Sequence, residues 1–428
     1  MTFVPIGWKA HHLDELGFVG RGRSRHRPRN HPSLYGGSYP FVQTADIKAA
    51  HLRLHEFTQT YNEIGLAQSK MWEPGTLCIT IAANIAETAI LAIPACFPDS
   101  VIGFLADPKK ADAVFIKYCI DFMKLRMQQV SHGTTQDNLS LDKLLHFDFI
   151  VPETPVQRKI SAILSAYDDL IENNLRRIKI LEEMAQTLYQ EWFVKFRFPG
   201  HQKVKMVDSS LGKIPEGWEV ATLDDVLAML ESGSRPKGGI DPKARGVPSI
   251  GAENIIGLSR YDYSKEKFVT HEFFDNMNRG HIQSGDVLLY KDGAQIGRKS
   301  MFRDGFPHAE CCINEHVFIM RTNGRFSQNY LFFWLDQPEM TQNIINLNAN
   351  AAQPGINQSG VRGLPILLPP TPLLENAEQI LEPLLGALFN YAKRNNILRR
   401  TRDLLLPKLI SGELDVFELD ITIPEANA

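Results

Sequence analysis

Residues 154–200 read TPVQRKISAILSAYDDLIENNLRRIKILEEMAQTLYQEWFVKFRFPG, and they contain the clearest secondary-structure pattern in the sequence. From Leu164 to Trp192, mostly apolar residues recur in alternating steps of three and four. An average spacing of about 3.5 residues is typical of the seam of a coiled coil. Pro155 suits the first turn of a helix, because its missing N–H group is not needed there, and Pro199-Gly200 ends the pattern. The sequence therefore predicts a helix of about 38 residues, roughly 57 Å long.

A second, less regular stripe with the same spacing lies near the C-terminus, where Pro383 and Pro407 predict a helix that is shorter or kinked. In the simplest interpretation, each helix only caps its own domain. Alternatively, the two stripes bury against each other as an antiparallel coiled coil that spaces the two domains, with one Asn in each seam fixing the register. The predicted helix-pairing residues are Leu164, Ile171, Asn174, Ile178, Leu181 and Leu188, then Leu384, Leu388, Tyr391, Leu398 and Leu405.

The rest of the chain contains two copies of one sequence pattern. Pro5-Ile6-Gly7-Trp8 returns as Pro215-Glu216-Gly217-Trp218. Each copy continues with a Leu-Asp pair, a loop containing Gly and Arg, a strand candidate led by Gly75 or Gly285, and a short apolar strand that ends in Pro before the helix. Two distant copies predict two similar domains in tandem rather than a solenoid, which has shorter periods.

The predicted fold class is α/β (α+β), with two similar globular domains that are each followed by a long helix. The predicted boundaries are residues 1–150 for the first domain, 151–207 for its helix and linker, 208–368 for the second domain, 369–416 for the C-terminal helix and 417–428 for a tail.

Composition narrows the class of protein. A chain of 428 residues exceeds one ordinary domain, and its 43% of apolar residues favours folded cores. Because the formal net charge is −3, a nucleic-acid-binding surface would need its positive charge concentrated locally. The five cysteines form no C-x-x-C pair, which argues against a zinc site and favours a reducing cytoplasm. No stretch predicts a signal peptide or a membrane span.

An arginine-rich loop is the main candidate for binding chemistry. Five Arg alternate between Gly20 and His31 with no acidic residue among them, and a weaker counterpart runs from Ser232 to Ile240. Arg binds phosphates or pairs bidentately with guanine, so the loops predict DNA contact, with a solvated surface as the alternative.

Polar side chains farther along each domain suit base edges, because Gln and Asn pair with adenine and acids accept from cytosine; the same residue types also cap turns. Asp292 and Gln295 are weaker candidates of this kind. The predicted DNA-binding residues are Arg21, Arg23, Arg25, Arg27, Arg29, Gln43, Thr44, Asp46, Asn84, Ser232, Ser234, Arg235, Lys237, Glu253, Asn254, Lys291 and Arg298.

No catalytic residue or metal ligand is predicted. The Gly-rich cofactor loop and the catalytic tetrapeptide of an adenine methyltransferase are missing from the sequence, and the stretch 293–300 departs from a phosphate-binding loop. Asp99, Asp107 and Lys109 have the spacing of a metal-dependent nuclease, but Pro108 would break the strand that such a site needs. A surface turn is the better interpretation of these residues.

Two stretches now indicate a family. Residues 181–201 (LEEMAQTLYQEWFVKFRFPGH) and 404–415 (LLLPKLISGELD) resemble the conserved regions of the specificity subunits of type I restriction–modification enzymes. The helix opening at residues 155–175 and the two Gly-Trp domain entries match the same pattern, so the resemblance covers essentially the whole chain in the family's order.

The resemblance implies a non-catalytic subunit whose two target-recognition domains each bind one half of a split double-stranded DNA site. It also implies that the helices pack antiparallel as a spacer and bind two methyltransferase subunits, which carry S-adenosylmethionine. Two restriction subunits, which use ATP and Mg²⁺, would complete the complex, and this chain would hold no cofactor. A tandem-domain transcription regulator and a stand-alone nuclease or methyltransferase are the alternative functions.

Overall fold

The computed structural model describes residues 5–131, 139–240, 243, 245–348 and 354–423, so part of the predicted tail at 417–428 lies outside the described residues. The chain forms two compact units. The first unit comprises Met1–Asn173 together with Ile397–Ala428, and the second comprises Asn174–Asn396.

The first unit contains two mixed sheets and the opening of a long helix. Its elements are β1 (Lys9–His11), α1 (Leu13–Leu16), β2 (Gly17–Arg21), β3 (Tyr35–Phe41), α2 (Thr44–Ala49), β4 (Arg53–Leu54), β5 (Gln59–Tyr61), α3 (Glu63–Ala67), β6 (Met71–Trp72), β7 (Leu77–Thr80), β8 (Thr88–Leu91), β9 (Ala95–Cys96), β10 (Val101–Ala106), α4 (Ala113–Ser131), α5 (Leu141–Leu145), β11 (Phe149–Val151) and α6 (Thr154–Tyr189). The sheets have the orders β2-β10-β7-β8-β4 and β5-β3-β9-β6, and β1 pairs with β11.

The second unit begins inside α6, which continues as a π-helical turn over Gln190–Val194. Its further elements are β12 (Met206–Ser209), β13 (Gly212–Pro215), β14 (Glu219–Thr222), α7 (Leu223–Val226), β15 (Leu227–Ser232), β16 (Val247–Ile250), β17 (Phe268–Val269), α8 (His271–Asp275), β18 (Asp286–Tyr290), β19 (Lys299–Phe302), β20 (Cys312–Ile313), β21 (Val317–Thr322), α9 (Gln328–Asp336), α10 (Pro338–Asn346), α11 (Gln358–Arg362), β22 (Pro365–Leu368) and α12 (Thr371–Ile410). Its sheets have the orders β15-β21-β18-β19 and β17-β16-β20, with the pairs β12-β13 and β14-β22.

The two units share one topology. The order β2-β10-β7-β8 in the first unit matches β15-β21-β18-β19 in the second, and all three pairings are antiparallel in both. In the other sheet, β3 pairs in parallel with β9, as β16 does with β20. The strand after each Gly-Trp entry pairs with the strand before the long helix, as β1 with β11 and β14 with β22. The prediction of tandem similar domains is confirmed.

The second long helix is not shortened by its prolines. Helix α12 runs unbroken for 40 residues, against 36 for α6, so of the two predicted alternatives the shorter helix is wrong, and the kink stays a prediction. Pro383 removes the donor to the carbonyl of Gln379, but both residues are exposed, so water can satisfy that carbonyl. Pro407 lies in the last turn, where little helix follows for it to disturb.

Helices α6 and α12 run antiparallel to each other inside each unit. In the second unit, Asn174 Nδ2 donates to Asn395 Oδ1 over 2.9 Å, and Arg177 Nη1 donates to the Tyr391 hydroxyl over 2.9 Å. In the first unit, Arg402 pairs with Asp168. Each helix therefore contributes residues to both units, and neither only caps its own domain.

Burial along the seam is clearest on α6. Leu164, Ile171, Asn174 and Ile178 are buried, and Leu181 and Leu188 are half-buried. On α12, Leu388 is buried, whereas Leu384, Tyr391, Leu398 and Leu405 are half-buried. The side chains that α12 buries besides Leu388 include Leu381, Leu385, Phe389, Ala392 and Asn395.

The buried amide pair sets up a stability test. Changing Asn174→Leu is expected to cost about 1–3 kcal/mol of the free energy of unfolding, because the hydrogen bond from Asn174 Nδ2 to Asn395 Oδ1 is lost in a buried seam. The double change Asn174→Leu with Asn395→Leu is expected to recover most of that loss, since two apolar side chains replace two amides. Urea denaturation measures both values. A double variant as unstable as the sum of its two single variants would contradict a direct coupling.

Candidate DNA interface

The arginine-rich loop starts at a glycine that no other residue could replace without backbone movement. Gly22 donates its N–H to Val101 O over 2.9 Å, and a Cβ at Gly22 would lie 2.3 Å from Pro98 O. The loop of the second unit starts in the same way, because a Cβ at Gly233 would lie 1.8 Å from Ile313 O. The contact anchors the first residue of each loop against the turn that leads into β10 or β21.

Three exposed arginines lie where β2 leads into the first loop, and their backbone is anchored by hydrogen bonds. Arg21 is the last residue of β2, opposite Ile102, rather than a loop residue as predicted, because its backbone completes the ladder with β10. The N–H of Arg23 donates to Phe97 O over 3.0 Å, and that of Arg25 to Gln68 Oε1 over 2.6 Å. Arg21, Arg23 and Arg25 are exposed, and among the described residues their guanidinium groups have no hydrogen-bond or ion-pair partner.

The other two arginines of this loop have partners. Arg27 Nη1 donates to the carbonyls of Ser24 (2.7 Å) and His26 (2.9 Å), so it stabilises the loop itself. Arg29 Nη2 donates to Asp99 Oδ2 over 2.7 Å. In the second loop, Arg235 Nη1 donates to Glu315 Oε1 over 3.3 Å, and Lys237 is exposed. Ser232 ends β15 and, like Ser234, is half-buried.

Lys70 lies near Arg23 of the first loop, but it is not among the residues predicted from the sequence. Its ammonium lies 3.7 Å from the ring centroid of Trp72 and 4.8 Å from that of Phe18. Burial, and then the nearby charge of Arg23, lower the pKa of Lys70. A single Lys far along the chain carries no sequence signal that would place it here.

Several predicted base-reading residues have structural partners inside their own domain. Asp46 is buried at the start of α2 and accepts from the N–H of Gln43 over 2.8 Å. Asn254, also buried, accepts from the N–H of Gly251 over 3.0 Å at the equivalent point of the second unit. The placement favours the capping interpretation for both residues, while Gln43 and Thr44 stay half-exposed at the helix start.

Of the remaining predicted residues, Asn84 and Glu253 have polar partners. Asn84 Oδ1 accepts from Lys48 Nζ over 3.3 Å. Glu253 pairs with Lys267 at 2.5 Å. Burial raises the pKa of Glu253, but the hydrogen bond from Lys267, a backbone hydrogen bond and the charges of Lys267 and His316 together lower it. Arg298 and Gln295 are exposed.

In the second unit, a series of ion pairs connects Lys291 and Asp292 with Arg235. Asp292 lies between Lys291 Nζ at 2.7 Å and His316 Nδ1 at 2.9 Å. The other ring nitrogen of His316 lies 3.5 Å from Glu315, which also pairs with Arg235. The sequence pointed to Lys291, Asp292 and Arg235 but not to Glu315 or His316, because these last two residues lie in the turn between β20 and β21, a separate segment of the chain.

The nuclease-like spacing has a plain structural explanation. Asp99 pairs with Arg29, and the residues after Asp107 form a turn in which Asp107 Oδ1 accepts from the N–H of Lys109 over 3.0 Å. In the described ranges, no cluster of three or more His, Cys, Asp or Glu is arranged to hold a metal ion. Nor does any helix formed by the described residues have both the length and the apolar character needed to cross a bilayer.

Comparison with known proteins gives one consistent result. Residues 5–183 match the family model of the type I restriction modification DNA specificity domain. The MjaIX type I restriction enzyme specificity subunit of Methanocaldococcus jannaschii is 24% identical, and the match covers 97% of this chain and 95% of that one. The MjaVIII specificity subunit of the same organism is 22% identical over 73% and 72% of the two chains.

A solved structure shares the fold. The crystal structure of the type I restriction–modification S subunit from M. genitalium aligns with a TM-score of 0.60 at 14% identity, covering 96% of this chain and 97% of that one.

Proposed function

Because this chain belongs to the family of type I restriction–modification specificity subunits, we propose that it is the DNA-reading subunit of such an enzyme and recognises a target in two separate parts. The observation that carries the proposal is the repeated architecture. Each unit has the same strand order and a loop with basic side chains that starts at an anchored glycine. Two equivalent readers on one chain suit a target with two halves.

In this proposal the chain binds double-stranded DNA and performs no chemistry itself. Two methyltransferase subunits with S-adenosylmethionine would methylate the target, and two restriction subunits with ATP and Mg²⁺ would cut DNA, all in the cytoplasm. Family membership decides against the stand-alone enzyme and the transcription regulator that the sequence left open.

The exposed arginines of the first loop provide a test of DNA contact. Changing Arg21, Arg23 and Arg25 to Ala is expected to weaken binding and to lower the slope of log K against log salt by about one unit for each lost phosphate contact. A lost guanine contact would instead cost about 1–3 kcal/mol at one base pair. Titrations at several salt concentrations distinguish the two.

The matched control for this test is Arg53→Ala, which removes an exposed arginine of the same unit that pairs with Asp169. Its salt slope is expected to stay at the wild-type value. Unchanged affinity and slope in the triple variant would show that the loop is solvated surface and does not contact DNA.

A further inference from the structure

Two acidic residues occupy the same position in the two units. In the first, Phe41 pairs with Cys96, and Arg21 lies opposite Ile102. In the second, Ser249 pairs with Cys312, and Ser232 lies opposite Phe318. The two strand pairings give the same alignment of one unit on the other, because Ile102 follows Cys96 by the same number of residues as Phe318 follows Cys312. Asp99 and Glu315 are therefore equivalent.

Each acid follows the turn against which its loop glycine packs. Gly22 lies against the carbonyls of Phe97 and Pro98, directly before Asp99, and Gly233 lies against those of Ile313 and Asn314, directly before Glu315. Each acid is thus held at a fixed place beside the start of its loop.

Both acids use their two oxygens in the same way. One oxygen accepts from a loop arginine, Arg29 for Asp99 and Arg235 for Glu315. The second oxygen, Asp99 Oδ1 or Glu315 Oε2, is buried and has no hydrogen-bond partner within the described part of the chain. An unsatisfied buried acceptor costs about 1–3 kcal/mol, and an exposed ion pair returns less than that. Stability of the free protein therefore does not explain why both units keep the arrangement.

We propose that Asp99 and Glu315 are positioning residues that orient Arg29 and Arg235 so that each arginine reads a guanine in its half of the target. The proposal rests on the proposed function and adds which arginines read bases. The guanidinium group is planar, and a carboxylate held against one of its N–H groups fixes the plane of the others. Two of the remaining N–H groups can then pair with guanine O6 and N7 in the major groove.

The acids also argue against a phosphate contact for these two arginines. A carboxylate beside a phosphate-binding arginine repels the DNA backbone and weakens binding, so it brings a benefit only where the direction of the guanidinium decides recognition. Arg21, Arg23 and Arg25 have no such acid at their guanidinium groups among the described residues, which suits contact with the backbone.

The test uses the full chain assembled with its methyltransferase subunits and a DNA library in which each base pair of the target is varied. Asp99→Asn is expected to reduce discrimination about tenfold at one guanine of one half-site, and Glu315→Gln to do the same in the other half-site. Binding to non-specific DNA should stay equal or become tighter, because a negative charge is removed. A merely structural role would not produce these opposite changes.

Two further variants complete the test. Arg29→Lys keeps the charge but loses the planar group, so it should reproduce the effect of Asp99→Asn, and the two changes together should be no worse than Arg29→Lys alone. Asp224→Asn, which breaks the 2.8 Å exposed pair with Arg362, should leave every base pair unaffected.

Three results would overturn the proposal. Discrimination could be lost evenly over all base pairs, or the effects of Arg29→Lys and Asp99→Asn could be additive. Alternatively, Asp99→Asn and Glu315→Gln could keep full specificity. Failure of the proposed function itself would look different, because the unmodified complex would then prefer no sequence at all.

Discussion

Replacing residues 1–150 with the first domain of another specificity subunit is expected to change one half of the DNA target completely and to leave the other half as it was. The physical reason is that the second unit has its own sheets, its own core and its own loop, and none of these includes any of the described residues of 1–150. Mapping methylated sites of the hybrid complex measures the result. A hybrid that keeps the original target, or changes both halves, would contradict two independent readers.

The exchange needs a matched donor, because the core of the first unit is completed by the long helices. Val156, Ile160 and Leu164 of α6 and Leu409 and Ile410 of α12 pack in one cluster with residues of the first domain. A hybrid should fold if the inserted domain has similar apolar side chains facing these five positions, whereas a mismatched domain would leave cavities. Thermal unfolding of the hybrid separates a folding failure from a change of specificity.

Asp168→Ala is expected to cost about 3 kcal/mol of the free energy of unfolding. Asp168 is fully buried, Oδ2 accepts from the Tyr118 hydroxyl over 2.5 Å, and Oδ1 pairs with Arg402. Burial lowers the pKa of Arg402, but the charges of Asp168 and Asp403 and their hydrogen bonds together raise it. Removing one partner of a buried ion pair typically costs about 3–5 kcal/mol, and the exposed Asp403 keeps the value at the lower end.

The neighbouring residue supplies the control for this prediction. Asp169 pairs with Arg53, but both side chains are substantially exposed, so Asp169→Ala should cost less than about 1 kcal/mol. Urea denaturation of the two variants side by side compares an internal with an exposed pair at adjacent positions. Equal losses would show that the Asp168 network contributes no more than a surface ion pair.

Periodicity and repetition in the sequence predicted most of the fold. The spacing after Pro155 gave α6 its position, and the two Gly-Trp entries predicted two domains that have the same strand order. The length of the second helix was harder to predict, because a proline on the exposed face of a helix destabilises it less than the general rule implies.

The candidate site was only partly accessible to sequence reasoning. A cluster of arginines is visible in the sequence, but Lys70, Asp99 and Glu315 come close to the loops only through strand pairing across long chain separations. Asp46 and Asn254 show the reverse case, since a polar residue at the start of a helical turn has the same sequence pattern whether it caps the turn or faces DNA.

If this chain directs a partner methyltransferase to a DNA target in two parts, methylation in cells must depend on both proteins. The most direct measurement is to express the chain with the methyltransferase subunit, and each protein alone, in cells without adenine methylation, and to sequence the genomic N6-methyladenine. We predict methylation only with both proteins, at a motif of two short defined blocks separated by a gap of fixed length and arbitrary sequence. A single continuous motif, or methylation that does not need this chain, would contradict the account.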